Sequence, residues 1–161
     1  MEGTQPVSPR AFTLTEVHLD VAQQLRLVFA DGATMRVDLG PIIERHPVLL
    51  PLLNPEVFRT ARLGEWGGSV VWGDSGGDLE LAADNLRARA VEQAGGCSHE
   101  FIWNWMSRHH LTLDEAAQAL GLSRRMLAYY RSGQRPVPLT VALACLGWEQ
   151  TKGDDRFRLA A

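Results

Sequence analysis

The spacing of apolar residues changes at the segment AGGCS, residues 94–98, and this change most constrains the fold. Before it, apolar residues alternate with polar ones in short runs separated by glycine and proline. After it, apolar residues recur at intervals of three and four. Alternation is typical of half-buried strands, and the longer spacing is typical of amphipathic helices. The sequence therefore predicts an α+β module, a linker at residues 94–98 and an all-helical module.

The clearest strand signal is QLRLVFADGATMRVDL, from Gln24 to Leu39. Its two alternating halves flank Asp31-Gly32, and glycine accepts the positive φ of a tight hairpin turn. Residues that alternate along each strand should share one face: Leu25, Leu27 and Phe29 on the first, and Met35, Val37 and Leu39 on the second. FTLTEVHLD, from Phe12 to Asp20, predicts another strand before this hairpin.

The rest of the first module is predicted to mix short helices with strands. Four prolines between residues 41 and 55 permit helical turns but no long helix. VFRTARL (57–63) and SVVW (69–72) predict strands, GDSGGD (73–78) predicts a turn, and AADNLRARAVEQ (82–93) predicts a helix. Residues 12–93 are thus expected to form an α+β domain, mainly an antiparallel sheet with short helices.

Residues 98–150 are predicted to form an all-α domain, followed by a polar tail at residues 151–161. SHEFIWNWMSRHH places its large apolar residues on one face at helical spacing: Phe101, Ile102, Trp105 and Met106. The next helix should begin after Thr112, because Glu115 follows three residues later. That spacing is a capping box, in which each side chain accepts a hydrogen bond from a backbone amide that the helix leaves unpaired.

Three further signals delimit the remaining helices. Gly121 should end the second helix, and Ser123 should cap a third that runs to Gly133. Pro138 suits the first turn of a last helix, LTVALACLG, which is expected to end at Gly147.

Two helices joined by a glycine-containing turn predict a helix-turn-helix. Ala117 lies where these helices should cross, and only a small side chain lets their backbones approach. Apolar or aromatic residues occupy the predicted inward positions: Leu113, Ala116, Leu120, Leu122, Leu127 and Tyr130.

The stretch from Ser123 to Pro138 contains four arginines, two tyrosines and no acidic residue. In a helix-turn-helix the start of the second helix enters the major groove of DNA. Arginine offers a bidentate fork to guanine and a permanent charge to phosphate. Capped helix starts can also present backbone amides to phosphates. The predicted DNA-binding residues are Thr112, Ser123, Arg124, Arg125, Tyr129, Arg131 and Arg135, of which Arg131 and Arg135 are expected to clamp phosphates.

The charge distribution is compatible with this interpretation. The net charge is −3, yet residues 1–94 carry eight arginines against thirteen acidic residues, while residues 95–161 carry eight basic residues against six acidic ones. Phosphate contact responds to local charge. No apolar run is long enough to span a bilayer, the start of the chain has no signal-peptide pattern, and only two cysteines occur. A cytoplasmic protein without a disulfide framework is expected.

Residues 98–148 resemble lambda-repressor/Cro-type (XRE-like) helix-turn-helix domains, through LSRRMLAYYRSGQRPVP and VALACLGWE. They are similar to the version found fused behind one bacterial domain family of unknown function. Residues 14–88 resemble that family through LRLVFADG, VDLGPII, VFRTARL and VVWGDSGGDLELAADNL. The first resemblance implies DNA binding, often as a dimer, with contacts from Ser123, Arg124, Arg125 and Tyr129. The second implies a small α+β domain without known chemistry, sometimes encoded beside toxin–antitoxin-like gene pairs.

The helical resemblance also implies five helices, and the sequence departs from that number. EQTKGDDRFRLA, which follows the fourth predicted helix, is too polar to predict a fifth.

Three groups of residues could indicate other chemistry, and each has a plainer interpretation. GDSGGD places Ser75 in a context typical of trypsin-like proteases, but neither upstream histidine, His18 or His46, is in the expected context. The acids Asp74, Asp78, Glu80 and Asp84 lack the spacing of a calcium loop. The set Cys97, His99, His109 and His110 offers only one cysteine–histidine pair, whereas structural zinc sites usually show two. No metal, cofactor or enzyme activity is therefore predicted.

The five tryptophans could stack on bases, but core packing is the expected role. Trp103 is the exception, because it lies on the opposite side of its helix and could face the first module.

The sequence predicts a sequence-specific DNA-binding protein, acting as a transcriptional regulator or an antitoxin-like autoregulator on duplex DNA as a homodimer. The α+β domain would bind a small effector or a partner protein. The alternative is a protein–protein interaction module, in which the helical domain binds a partner polypeptide.

Overall fold

The computed structural model describes residues 10–74 and 79–154 of the 161-residue chain. The chain divides into two compact units, Met1–Gly95 and Gly96–Ala161. Ser75 and Asp78, considered above as a nucleophile and a calcium ligand, lie outside the described residues. None of the helices in the described ranges is long and apolar enough to cross a membrane.

A three-stranded antiparallel sheet opens the first unit, after a 3-10 turn at Arg10–Phe12. Its strands are β1 (Leu14–Leu19), β2 (Gln24–Phe29) and β3 (Thr34–Asp38), in that order. The predicted hairpin is confirmed, with Leu27 opposite Met35 and Leu25 opposite Val37. Residues 30–33 form the turn. Leu25, Leu27 and Phe29 are buried, as their shared face requires.

Within the described ranges, a second three-stranded antiparallel sheet, three α-helices and two 3-10 elements make up the rest of this unit. In chain order the elements are α1 (Gly40–Arg45), a 3-10 helix (Pro47–Leu53), α2 (Pro55–Phe58), β4 (Arg62–Leu63), a 3-10 turn (Glu65–Gly67), β5 (Ser69–Val71), β6 (Glu80–Ala82) and α3 (Ala83–Gln93).

The strand predicted over residues 57–63 is wrong for most of its length. Asn54 caps α2 by accepting a hydrogen bond from the Glu56 amide at 3.0 Å, and Pro55 takes the first helical position. Both residues favour a helix start, and this local signal outweighs the apolar alternation that follows. Only Arg62 and Leu63 remain as strand. The sequence did not predict β6, whose three residues precede α3 directly.

Helix α3 is tied to the first sheet by polar side chains as well as by apolar packing. The Arg87 guanidinium lies 2.7 Å from the Asp31 carboxylate in the hairpin turn and 4.8 Å from the centre of the Phe29 ring. Burial would raise the pKa of Asp31, but the hydrogen bonds from Arg87 and from the Ala33 amide, together with the charge of Arg87, outweigh it, so the pKa is lowered. The Gln93 side chain accepts a hydrogen bond from the Asp38 amide and donates one to the Asp38 carbonyl, each at 2.8 Å.

Over residues 96–154 the regular structure of the second unit is helical, apart from a single bridge between Cys97 and Val137. Its helices are α4 (His99–Arg108), α5 (Leu113–Leu120), α6 (Arg124–Arg131) and α7 (Leu139–Thr151). The predicted end of the last helix at Gly147 is wrong, because α7 continues for another turn. Glycine weakens a helix interior by only about 0.5–1 kcal/mol, which tertiary packing overrides.

The core of the helical unit takes one face from each of its four helices. Its fully buried side chains are Ile102, Trp105, Ala116, Leu127 and Cys145. Trp72 and Trp105 are buried, as core packing predicts. The same expectation is wrong for Trp66, which is 55% exposed. Trp103, expected on the side of its helix away from this core, is 51% exposed.

Candidate nucleic-acid interface

The α5–α6 pair is held by packing at its crossing and by hydrogen bonds at its turn. Ala117 is buried where the two helices meet, and Gly121 ends α5 in the left-handed region at φ 66°. The Leu122 amide donates to the Ala117 carbonyl at 2.9 Å, which closes the turn. Leu127 is fully buried and anchors α6 in the core. The orientation of α6 is therefore fixed by residues that leave its opposite face free.

Ser123 fixes the start of α6. Its Oγ accepts a hydrogen bond from the Met126 amide at 3.1 Å, as the sequence predicts for a helix cap. Ser123, Arg124 and Arg125 are all exposed. Because the first turn of a helix carries a partial positive charge, these arginines add to an end that already favours anions.

Arg124 pairs with an acidic residue of the preceding helix. Its Nε lies 2.9 Å from Oδ1 of Asp114, in the first turn of α5. Both side chains are largely exposed, at 67% and 75%. Nothing in the sequence spacing relates Asp114 to Arg124, because the two residues are ten positions apart and only the turn brings them together.

Arg125 and Arg135 both lie against Tyr129. The Arg125 Nε donates to the Tyr129 hydroxyl at 2.7 Å, and the guanidinium is 5.4 Å from the ring centre. The Arg135 guanidinium is also 5.4 Å from this ring centre. In addition, the Arg135 amide donates to the Tyr129 carbonyl at 3.3 Å. One tyrosine thus orients two cations, one from the start of α6 and one from the loop after it.

Arg131 is held by α4. Its guanidinium lies 4.7 Å from the centre of the Trp103 ring, and Trp103 is one of the exposed tryptophans. A guanidinium that stacks on an aromatic ring keeps its charge and most of its donors. The sequence did not predict this pair, since nothing in the spacing relates the two positions.

Thr112 has both of its polar groups engaged in the predicted capping box. Its hydroxyl and its amide each donate to Oε2 of Glu115 at 2.8 Å, and the Glu115 amide donates back to the hydroxyl at 3.3 Å. The bonds from the Thr112 amide and hydroxyl lower the pKa of Glu115. The predicted phosphate contact at Thr112 stays a prediction, and an approaching phosphate would meet this carboxylate.

Six of the seven predicted site residues lie on one short segment, α6 with its cap and the loop that follows. These are Ser123, Arg124, Arg125, Tyr129, Arg131 and Arg135. Asp114 and Trp103 are the neighbours that fold into contact with them. The result is a basic surface in which each arginine has a defined partner.

A second polar cluster joins the ends of α4 and α7. Glu149 accepts from His109 at 2.8 Å and lies 3.2 Å from Arg108, while Lys152 lies 3.3 Å from the other His109 ring nitrogen. The His109 bond is the main cause of the lowered pKa of Glu149. Trp148 packs edge-on against His109 at 5.0 Å. Across the described ranges no three histidine, cysteine or acidic residues are grouped to hold a metal ion.

The first unit contains a cleft of about 360 Å³, within the range of small-ligand pockets. Its lining residues are Leu19, Asp20, Ala22, Gln23, Pro55, Phe58 and Arg59. Asp20 already pairs with Arg36 at 3.3 Å, and Arg59 pairs with Glu56 at 2.9 Å. The charged groups at the cleft are therefore largely neutralised by neighbours.

Known proteins resemble this chain over both units. Residues 14–92 match the family "Protein of unknown function (DUF2442)". The crystal structure of "Putative DNA Binding Protein NE0471 from Nitrosomonas europaea ATCC 19718" is 42% identical, with a TM-score of 0.82, over 92% of this chain and 94% of that chain. The chain belongs to the same family as this Nitrosomonas europaea protein. No curated protein matches it.

The DUF2442 match confirms the resemblance that residues 14–88 show to a family of unknown function. The resemblance of residues 98–148 to lambda-repressor/Cro-type domains stays a prediction.

Proposed function

We propose that this chain is a sequence-specific DNA-binding protein whose helical unit is a lambda-repressor-like helix-turn-helix. The observation that carries the proposal is the segment from Ser123 to Arg135, where two of four oriented arginines lie at a capped helix start and two lie at the helix end and in the following loop. The core requires none of these arginines, since Leu127 anchors the helix. The relative from Nitrosomonas europaea is itself described as a putative DNA-binding protein, and it spans both units.

The arginines would contact different parts of the DNA, according to their positions along the segment. Arg124 and Arg125 project from the first turn of α6, the part that reaches base edges when such a helix enters the major groove. Arg131 and Arg135 lie at the end of the helix and beyond, where contact with phosphates is the expected role. Ser123 would add backbone amides from the helix start that it caps. Thr112 would do so only through the amides that follow it in α5, because its own amide is bonded to Glu115.

We also propose that the chain acts as a homodimer through α7. Leu139, Leu143 and Leu146 are 70%, 56% and 47% exposed and follow one face of that helix. Gly147 adjoins this stripe and has open space where a side chain would stand, so a second helix could approach its backbone closely. A two-fold dimer would read two half-sites about 34 Å apart.

The dimer has a direct test. Leu143→Glu should shift the sedimentation coefficient of the full chain to that of a monomer, because it places a charge in the apolar contact. Val21→Glu, at a side chain that is 67% exposed in the first unit, is the matched control and should leave the dimer intact. A monomeric native chain would disprove this part of the proposal.

The proposed function is tested by selecting genomic fragments on the immobilised full chain at low and moderate salt, followed by fluorescence anisotropy on the selected site. Arg125→Ala should weaken binding to the selected site by about 1–3 kcal/mol and relax the base preference. Arg135→Ala should weaken binding to all duplexes alike and flatten the salt dependence of affinity. Failure to retain DNA at any salt, together with a co-purifying polypeptide, would favour the interaction module instead.

The fragments would also distinguish the two regulatory roles. An antitoxin-like autoregulator should select the region upstream of its own coding sequence, whereas a wider regulator should select other promoters as well. Neither role requires catalysis, and we propose none for this chain. We propose the cleft in the first unit as the binding site of a small effector. Selection repeated with small-molecule extracts should then change the amount of DNA retained.

A further inference from the structure

Asp114 occupies an unusual place for an acidic residue in the proposed interface. It lies in the first turn of α5, yet its carboxylate reaches Arg124 at the start of α6. In a helix-turn-helix the first helix crosses the phosphate backbone, so a carboxylate there should repel DNA unless a cation neutralises it. The negative charge of Asp114 also stabilises the start of its own helix, but that effect does not require its carboxylate to contact Arg124.

The geometry of the pair leaves Arg124 able to bind a base. Asp114 approaches Nε of the guanidinium, the edge nearest the chain. The terminal Nη1 and Nη2 groups form the fork that pairs with O6 and N7 of guanine. A carboxylate at Nε therefore restrains the arginine while its terminal fork remains free to bind. The same carboxylate cancels the charge that Arg124 would otherwise offer to any phosphate.

We propose that Asp114 is a specificity-determining residue, which positions Arg124 for a base edge and lowers affinity for non-cognate DNA. The inference rests on the proposed DNA-binding function. At the cognate site the guanine contact would supply affinity that the neutralised pair does not gain from phosphates. On other sequences no such contact forms, so the pair adds no attraction to DNA. Exposed ion pairs contribute little to folding stability. We therefore expect this pair to affect selectivity between DNA sequences more than the free energy of unfolding.

The experiment compares the full chain with its Asp114→Asn variant on the selected duplex and on a scrambled duplex, from about 50 to 200 mM salt. Freed from Asp114, Arg124 can neutralise one more phosphate. The slope of log K against log salt on scrambled DNA should then steepen by about 1. Affinity for scrambled DNA should rise, and the ratio of selected to scrambled affinity should fall by about tenfold, within the range of one bidentate base contact.

Glu56→Gln is the matched control, because Glu56 forms an exposed ion pair with Arg59 of the same 2.9 Å length in the first unit. It removes the same charge from the chain and should alter neither the slope nor the ratio. A general effect of net charge would instead change the salt slope and the affinity ratio equally in both variants.

A mutant cycle keeps the inference testable if Asp114→Asn also affects folding. In an Arg124→Gln background, Asp114→Asn should no longer change the ratio, since the arginine it positions is absent. An unchanged ratio and slope in the single variant would overturn the inference, as would an equal effect in both backgrounds. Failure of the native chain to bind any duplex would instead disprove the proposed function.

Discussion

Ser123 offers a way to separate the folding of the interface from its use. Its Oγ caps α6 by accepting from the Met126 amide at 3.1 Å, and the side chain is exposed beside two arginines. Aspartate caps helices about as well as serine, whereas alanine does not. Ser123→Asp should therefore keep α6 folded while it places a negative charge where DNA phosphates are expected to approach.

The two substitutions should have opposite consequences. Ser123→Ala should cost about 1 kcal/mol of the free energy of unfolding of the helical unit, the usual value of a lost cap. For a unit of this size, that loss lowers the midpoint by roughly 4–8 °C. Ser123→Asp should melt close to the native chain. A phosphate about 7 Å from the new charge adds roughly 0.6–2.4 kcal/mol of repulsion, for an effective dielectric constant between 80 and 20. DNA affinity should then fall by about 3- to 60-fold.

Thermal unfolding by circular dichroism and fluorescence anisotropy on the selected duplex measure these two properties on the same samples. Asn85→Asp adds the same charge to an exposed position of α3 in the first unit and is the control for net charge. If Ser123→Asp melts as low as Ser123→Ala, the cap does not act through its oxygen acceptor. If Ser123→Asp binds DNA as tightly as the native chain, the start of α6 does not face the duplex, and the proposed docking is wrong.

Three further predictions concern the helical unit itself. The hydrogen bond from His109 lowers the pKa of Glu149. The stability that ionised Glu149 contributes is therefore present above its ordinary pKa and is lost as the pH falls through the lowered pKa. Glu149→Gln should accordingly reduce the fall of the urea midpoint below pH 4.5. Leu127→Ala should cost about 2–5 kcal/mol, measured by urea unfolding, because this side chain is fully buried; a smaller loss would mean that the core collapses around the cavity. Burial raises the pKa of the Cys145 thiol to about 12, so Ellman's reagent at pH 8 should reach it only after denaturation.

The sequence predicted best the features whose cause lies within a few residues. Asp31-Gly32 specifies its hairpin turn, and the alternation on either side specifies which face is buried. The capping box at Thr112 and the cap at Ser123 were predicted for the same reason, since each bond spans only three positions. Gly121 takes the positive φ that its place after α5 suggested.

The errors arose where two local signals compete or where distant residues decide. Residues 57–61 alternate like a strand, but Asn54 and Pro55 start a helix just before them. Gly147 would end an isolated helix, yet packing of Trp148 against the core carries α7 past it. Spacing along the chain likewise gave no sign that Asp114 meets Arg124 or that Trp103 meets Arg131, because only the folded unit brings these pairs together.

The partners of the arginines also explain how a chain of net charge −3 could discriminate between DNA sequences. An arginine with many conformations binds any phosphate within reach, and each contact formed in this way adds affinity without selectivity. Arg124, Arg125 and Arg131 are each held in one direction, by Asp114, Tyr129 and Trp103 respectively. An arginine restrained in this way loses less side-chain entropy when it binds a base edge of matching geometry. The net acidity of residues 1–94 would further weaken long-range attraction to DNA. On this physical picture, selectivity depends less on how many arginines there are than on what holds each of them before DNA arrives.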